Sequence, residues 1–249
     1  MKRNHINPPM IFDAEENINT WMTHIGQVSK AAISVDCVIF GYNENTLKVL
    51  VLECNMPPFE KLPSLVGDLI QGDESLEEAA ARVLFQRTGL GKLYLEQVNT
   101  FSAPERHPLG RVVSTAFYSL MQLSDYEPQS LEYENVYWLD INEIENMAFD
   151  HKEILEFALT RLKRTVKEKP IGFNLLPSKF TLLQLQSLYE NILGVKLDKR
   201  NFRRKLKSLD ILIEHKELQT DVSHRPAKLY SFDKKLYQEK HDRKINLDF

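Results

Sequence analysis

A helix with both ends written into the chain constrains this sequence more than any other stretch. Ser75, followed three residues later by Glu78, forms a capping box, and Gly89 supplies the C-terminal stop. Residues 67–74 read as the loop that feeds it. Strand candidates surround this unit. Residues 31–40 run apolar into a turn at 41–45 and return as 47–52; Met56-Pro57-Pro58 then breaks the pattern. Further candidates are residues 93–101, 112–123 and 137–139, the stretch after Arg111 reading as buried on both faces. One helix framed by several strands suits a mixed α/β (α+β) sandwich.

The chain of 249 residues is long enough for one or two domains with a sizeable core. A hydrophobic content of 43% and a formal charge of −3 describe an ordinary globular protein. Cys37 and Cys54 provide neither a disulfide framework nor a clustered metal spacing, so a reduced cytoplasm is expected. The basic start Met1-Lys2-Arg3-Asn4 has no apolar run behind it, and no stretch approaches the length of a membrane span. Residues 1–28, with Pro8-Pro9, read as a polar arm with a short helix over 13–24.

Charge divides the chain unevenly. Residues 170–249 carry 16 Lys+Arg against 10 Asp+Glu, while the rest carries 16 against 25. A polyanionic partner is therefore expected for the second part only. Before this division, Asp150 and Glu153 form an Asp variant of the capping box, and Ile154, Ala158 and Leu162 mark the helix face that packs inward. His151, near that helix start, reads as a structural contact. A linker begins at Lys169-Pro170.

Beyond the linker, Thr181 and Gln184 make another capping box. Leu182, Leu185, Leu188, Tyr189 and Ile192 then build an apolar stripe, and Gly194 ends the helix. Asp198 caps a second helix over 199–209, with Phe202, Leu206 and Leu209 on its buried side. Strand candidates at 212–214 and 227–232 follow, joined by a polar loop through His224, Arg225 and Pro226. A basic helix alone is more often a solvated face. Behind a capped helix and a tight turn, and ahead of a wing, it becomes the second helix of a winged helix-turn-helix. Lys199, Arg200, Asn201 and Arg203 are placed to reach base edges of double-stranded DNA; Arg204, Lys207 and Arg225 are placed to hold phosphates.

The loop 102–111 carries Arg106 and Arg111, whose guanidinium forks suit phosphate or sugar oxygens. The same residues also read as surface arginines, paired with Glu105 or with nothing. His107, beside a proline, reads as solvent-facing and non-catalytic.

Residues 67–90 resemble the Nudix box, Gly-x5-Glu-x7-Arg-Glu-U-x-Glu-Glu-x-Gly-U with U aliphatic. Glu74, Arg82, Leu84, Gly89 and Leu90 agree with it. Asp68 stands where the first glycine belongs, with Gly67 beside it, and Val83, Gln86 and Arg87 stand where glutamates belong. The spacing i, i+3, i+4 places the last three on one helix face. In Nudix hydrolases, the resemblance implies, carboxylates there hold magnesium against a diphosphate. Magnesium takes hard oxygen ligands. An apolar branch, an amide and a cation offer none, so no catalytic residue, metal or cofactor is expected.

A degenerate Nudix domain followed by a winged helix is similar to the Nudix-related transcriptional regulators. The resemblance covers residues 31–232 and is most specific over 173–206. It implies a bacterial, homodimeric DNA-binding protein in three parts: an arm over 1–28, a Nudix-like α/β/α sensing and dimerisation domain over 29–168, and a winged-helix domain over 169–249. It also implies a small-molecule effector, an ADP-ribose-type nucleotide in one branch and a sugar such as L-arabinose in another. Residues 35–41 and 97–101 look closer to the sugar branch, and so to carbohydrate metabolism. Arg106, Arg111 and Glu74 are the expected effector contacts. The alternative is a Nudix hydrolase of nucleoside diphosphate derivatives such as ADP-ribose, with Glu74, Glu77 and Glu78 as metal ligands.

Overall fold

The computed structural model describes residues 30–43, 46–91, 93–123, 135–170, 175–220, 225–233 and 235–236. The arm over 1–28, its expected helix, the turn residues 44 and 45, and the wing-loop residue His224 lie outside the described residues.

Strand β1 (Ala32–Asn43) is the axis of the first domain. On one edge it pairs in parallel with β6 (Val112–Gln122) along nearly its whole length, from Ala32↔Val112 to Tyr42↔Gln122. Its other edge is shared: the second half pairs antiparallel with β2 (Thr46–Glu53), the first half with β4 (Val66–Leu69). The short β3 (Pro63–Ser64) joins β2. β5 (Glu96–Phe101) borders β6 through an irregularity between Gln97 and Asn99, and β7 (Val136–Asp140) borders β2.

Side-chain alternation splits the sheet into two cores. Val35, Cys37 and Ile39 point to one face, where helix α1 (Leu76–Thr88) brings Ala79, Ala80, Val83 and Leu84. Val38, Phe40 and Tyr42 point to the other, where α2 (His151–Glu168) brings Ile154, Leu155, Ala158 and Leu162. Strands flanked by helices on both faces read as near-continuous apolar runs, as β1 and β6 do.

Both ends of α1 form as its sequence dictates. Ser75 Oγ accepts from the Glu78 N–H, Glu78 accepts from the Ser75 N–H, and Gly89 takes a left-handed φ of 73°. At α2 the expected capping box is absent. Asp150 makes no side-chain cap bond, because its carboxylate is taken by Arg106. A carboxylate offered a guanidinium fork gains more than one offered a backbone N–H.

The second core continues into the winged helix. There α3 (Leu182–Leu193) is capped by Thr181 and Gln184 and ends at Gly194, and α4 (Lys199–Leu209) is capped by Asp198. Hairpin β8 (Leu212–Leu218) and β9 (Lys228–Phe232) forms the wing. A two-way backbone bridge between Phe180 and Tyr230 fastens the wing to the entrance of α3. The α3 face packs near β2, and Tyr42 Oη donates to Ser187 Oγ at 3.2 Å, tying the sheet to the helix pair.

Candidate ligand cleft and nucleic-acid interface

A cavity of about 670 Å³ opens where the loop 102–111, the start of β1, β4 and the end of α1 meet. A smaller hollow of about 320 Å³ adjoins it, and the two share Met56, Ser64, Leu65, Gly67, Arg87 and Phe149. Both arginines of the loop line the larger cavity, as do His107 and His151.

The floor of the larger cavity is a buried charge network. The Arg106 side chain, only 4% exposed, donates through Nε and Nη2 to the two oxygens of Asp150, each at 2.7 Å. Its Nη2 also lies 3.6 Å from Asp36 Oδ2, which accepts from Ser114 Oγ at 2.5 Å. His151 Nδ1 accepts from the Leu65 N–H at 2.9 Å, so the proton of the neutral ring sits on Nε2, 3.5 Å from Asp36 Oδ1. Burial, aided by the charges of Arg106 and His107, holds the His151 pKa below its ordinary value against the opposing carboxylates of Asp36 and Asp150. Burial followed by the Arg106 charge does the same to His107.

These placements correct several expectations. Arg106 is neither a surface residue nor paired with Glu105; it braces the loop from inside. Arg111 keeps its guanidinium outward, donating once, from Nη1 to the Ser102 carbonyl at 2.7 Å. Glu74 is not among the cleft-lining residues. Arg82 grips it through Nε at 2.8 Å and Nη2 at 2.5 Å, and the Gln71 N–H donates to it at 2.7 Å. That grip lowers its pKa to about 2. Glu74 thus fixes the loop ahead of α1. His107 is half-buried rather than solvent-facing, stacked on Phe149 with ring centroids 5.0 Å apart.

Positions 83, 86 and 87 do not share one exposed face. Val83 is 1% exposed against the sheet, whereas Gln86 and Arg87 are exposed. Each helical step turns about 100°, so three positions at this spacing span a wide arc that the sheet boundary cuts. Gln86 Oε1 accepts from Arg82, and Arg87 Nη2 reaches Asp68 Oδ2 at 2.5 Å. Among the described residues, no three His, Cys, Asp or Glu side chains gather as a metal site.

Two lining features gave no signal in the sequence. Phe149 holds a positive φ of 53°, contacts Phe59, His107 and His151, and is the aromatic residue that walls both hollows. A bulky residue there costs about 1–3 kcal/mol, sustained by its surroundings. Gly67 opposes Asp36 across the β1–β4 pair; a Cβ there would lie 2.2 Å from Asp36 Oδ1.

The second surface lies on α4. Lys199, Arg200, Asn201, Arg203, Arg204 and Lys207 are all exposed, while Phe202 and Leu206 are buried and Leu209 half-buried. The Asn201 N–H donates to Asp198 Oδ1, and the Asn201 side chain accepts from Arg204. Arg225 is exposed in the wing loop, just ahead of β9.

Comparison with known proteins agrees with both halves. Residues 30–157 match the NUDIX domain, and residues 172–232 match the NrtR DNA-binding winged helix domain. The ADPR responsive transcriptional repressor NtrR of Acinetobacter baylyi is 30% identical over 204 residues, covering 80% of this chain and 81% of that protein. The chain belongs to the NrtR family. The Shewanella oneidensis NrtR crystal structure in complex with a 27mer DNA superposes with a TM-score of 0.70 at 32% identity, covering 80% of this chain and 93% of that one. The NUDIX domain of the same NrtR, in complex with ADP ribose, superposes at 0.50 with 28% identity, covering 58% of this chain and 98% of that one. The NrtR architecture, a Nudix domain followed by a winged helix, is thus the α/β architecture seen here. Among the described residues no helix is long and apolar enough to cross a membrane.

Proposed function

We propose that this protein is a cytoplasmic transcriptional repressor whose winged helix binds double-stranded operator DNA and whose Nudix domain senses an ADP-ribose-type nucleotide. The observation that carries the DNA half is α4, an exposed cationic face on a helix anchored by Phe202 and Leu206. Lys199, Arg200, Asn201 and Arg203 read bases, and Arg204, Lys207 and Arg225 hold phosphates. The effector half rests on the cleft and on relatives whose names or bound ligand include ADP-ribose. A sugar effector, expected from residues 35–41 and 97–101, has no support from those relatives. The working division is the arm over 1–28, the sensor over 29–168 and the reader over 169–249, in a homodimer.

The protein acts without hydrolysis. Val83, Gln86 and Arg87 do not fit a magnesium ion, since a buried methyl branch, an amide bound by Arg82 and a guanidinium supply no carboxylate oxygen. Glu74, already held by Arg82, is not available to substitute. Leu65, which lines the cleft, belongs to the core that also holds the helix pair, and the Tyr42–Ser187 hydrogen bond ties the sheet to that pair, which gives the ligand a route to the reader. A ligand shifts DNA affinity only if it binds the two states unequally.

The test is a titration of operator and scrambled duplexes at several salt concentrations, with and without ADP-ribose. Tight operator binding that weakens with ADP-ribose supports the reading. Operator binding indifferent to ADP-ribose removes the sensor; magnesium-dependent cleavage of ADP-ribose restores the hydrolase.

A further inference from the structure

Arg87 stands at the junction of the two hollows. Among the described residues it is the one cationic side chain that lines both. A ligand that fills both must pass it. An ADP-ribose-type nucleotide has this form: a nucleoside at one end, a ribose at the other and a diphosphate between them.

The state of the cleft arginines separates their roles. Arg106 is buried and held by two short bonds to Asp150, so freeing it would strand a buried carboxylate. Arg111 donates once, to a backbone carbonyl, near the mouth of the larger hollow. Arg87 is paired with Asp68, but the two side chains are 52% and 39% exposed. An exposed ion pair is weak and exchanges readily for another anion. Arg87 can therefore leave Asp68 for a phosphate without leaving a buried charge behind.

The sequence position of this pair matters as much as its geometry. Asp68 and Arg87 lie 19 residues apart, each replaces a different member of the Nudix box, and the structure brings them into contact. Asp68 Oδ1 also accepts from the Leu69 N–H at 2.8 Å, so the carboxylate keeps a partner when Arg87 moves.

We propose that Arg87 is the diphosphate anchor of this cleft, doing with a guanidinium what a metal ion would otherwise do, and that Asp68 is its competing resting partner. This rests on the nucleotide reading above. Arg87 forks onto the diphosphate oxygens, as arginine does with phosphates generally. Asp68 both occupies Arg87 in the empty cleft and repels the incoming anion, so it tunes affinity downward.

The experiment is calorimetric titration of the full chain with ADP-ribose, in EDTA and in magnesium, for wild type, Arg87→Gln and Asp68→Asn. Adenosine, which lacks phosphate, serves as the second probe. Arg87 is exposed and Asp68 half-buried, and equal thermal melts confirm folding. Wild type binds ADP-ribose equally in EDTA and magnesium. Arg87→Gln weakens ADP-ribose binding roughly 10- to 100-fold, the loss of charge-assisted hydrogen bonds, and leaves adenosine unchanged. Asp68→Asn tightens ADP-ribose binding. If Arg87→Gln binds ADP-ribose like wild type, or wild-type binding disappears in EDTA, the anchor assignment is overturned while the nucleotide reading stands. If wild type binds no ADP-ribose under either condition, the nucleotide reading falls and takes the anchor with it.

Discussion

At the residue scale, the cleft depends on a small set of buried charges that satisfy one another. Arg106 ties the loop 102–111 to the first residue ahead of α2 through Asp150. Truncating it to alanine leaves Asp150 and Asp36 with one fewer cation in a largely buried site, and an expected loss of about 3–5 kcal/mol follows. Urea denaturation measures it, and an unchanged midpoint would show that the network carries no stability. His151 sets a pH dependence of definite sign. Its folded pKa lies below the ordinary 6.5, so the folded state binds fewer protons than the unfolded state between the two values. Its contribution is therefore fully present above about pH 6.5 and is lost as pH falls through the folded pKa. The groups facing it are Asp36, Asp150, Arg106 and His107. His151→Asn should flatten the acid limb of the stability curve by at most about 1.4 kcal/mol per pH unit. Identical acid limbs in the two proteins would assign that limb to the carboxylates.

At the element scale, two kinds of DNA contact are proposed for α4. Lys207 lies in its last turn and Arg200 in its first. Lys207→Ala should weaken binding to operator and scrambled duplexes alike and reduce the salt slope by about one unit. Arg200→Ala should cost about 1–3 kcal/mol on the operator and relax its sequence preference. A salt-resolved titration distinguishes them; a charge-neutralised α4 that binds like wild type would move the reader elsewhere. The caps of α1, α3 and α4 were all legible because capping is local: the donor and acceptor lie three residues apart. The cap at α2 does not form as its sequence suggests, because Arg106 reaches Asp150 from 44 residues away. Residues 67–69 of β4 read as loop in the sequence. The strand is four residues long with Gly67 in it, and that glycine is required by Asp36 on β1, not by any local preference.

At the scale of the whole molecule, one continuous core runs from the outer face of the sheet through α2 and α3 to Phe202 and Leu206 of α4. That continuity lets a change at the cleft side of the sheet bear on the reader helix. A two-fold dimer presents two α4 helices to half-sites a helical turn or a multiple apart, so the operator should be an imperfect palindrome. Footprinting together with sedimentation tests this. A monomer protecting a single asymmetric site would exclude it.

The order of the longer elements, the winged helix, the cationic face of α4 and the departures at 68, 83, 86 and 87 were determined by sequence alone, whereas β3 and β4 were not. Each of the former depends on period, cap or residue type within a short window. Which of those residues meet was decided only by tertiary structure. Folding buried Val83 while exposing Gln86 and Arg87, sent Asp150 to Arg106, turned Phe149 into a wall and set Asp68 against Arg87. These are contacts between distant segments, and the β1 pairing with β4 and β6, which no local window contains, is what brings them together.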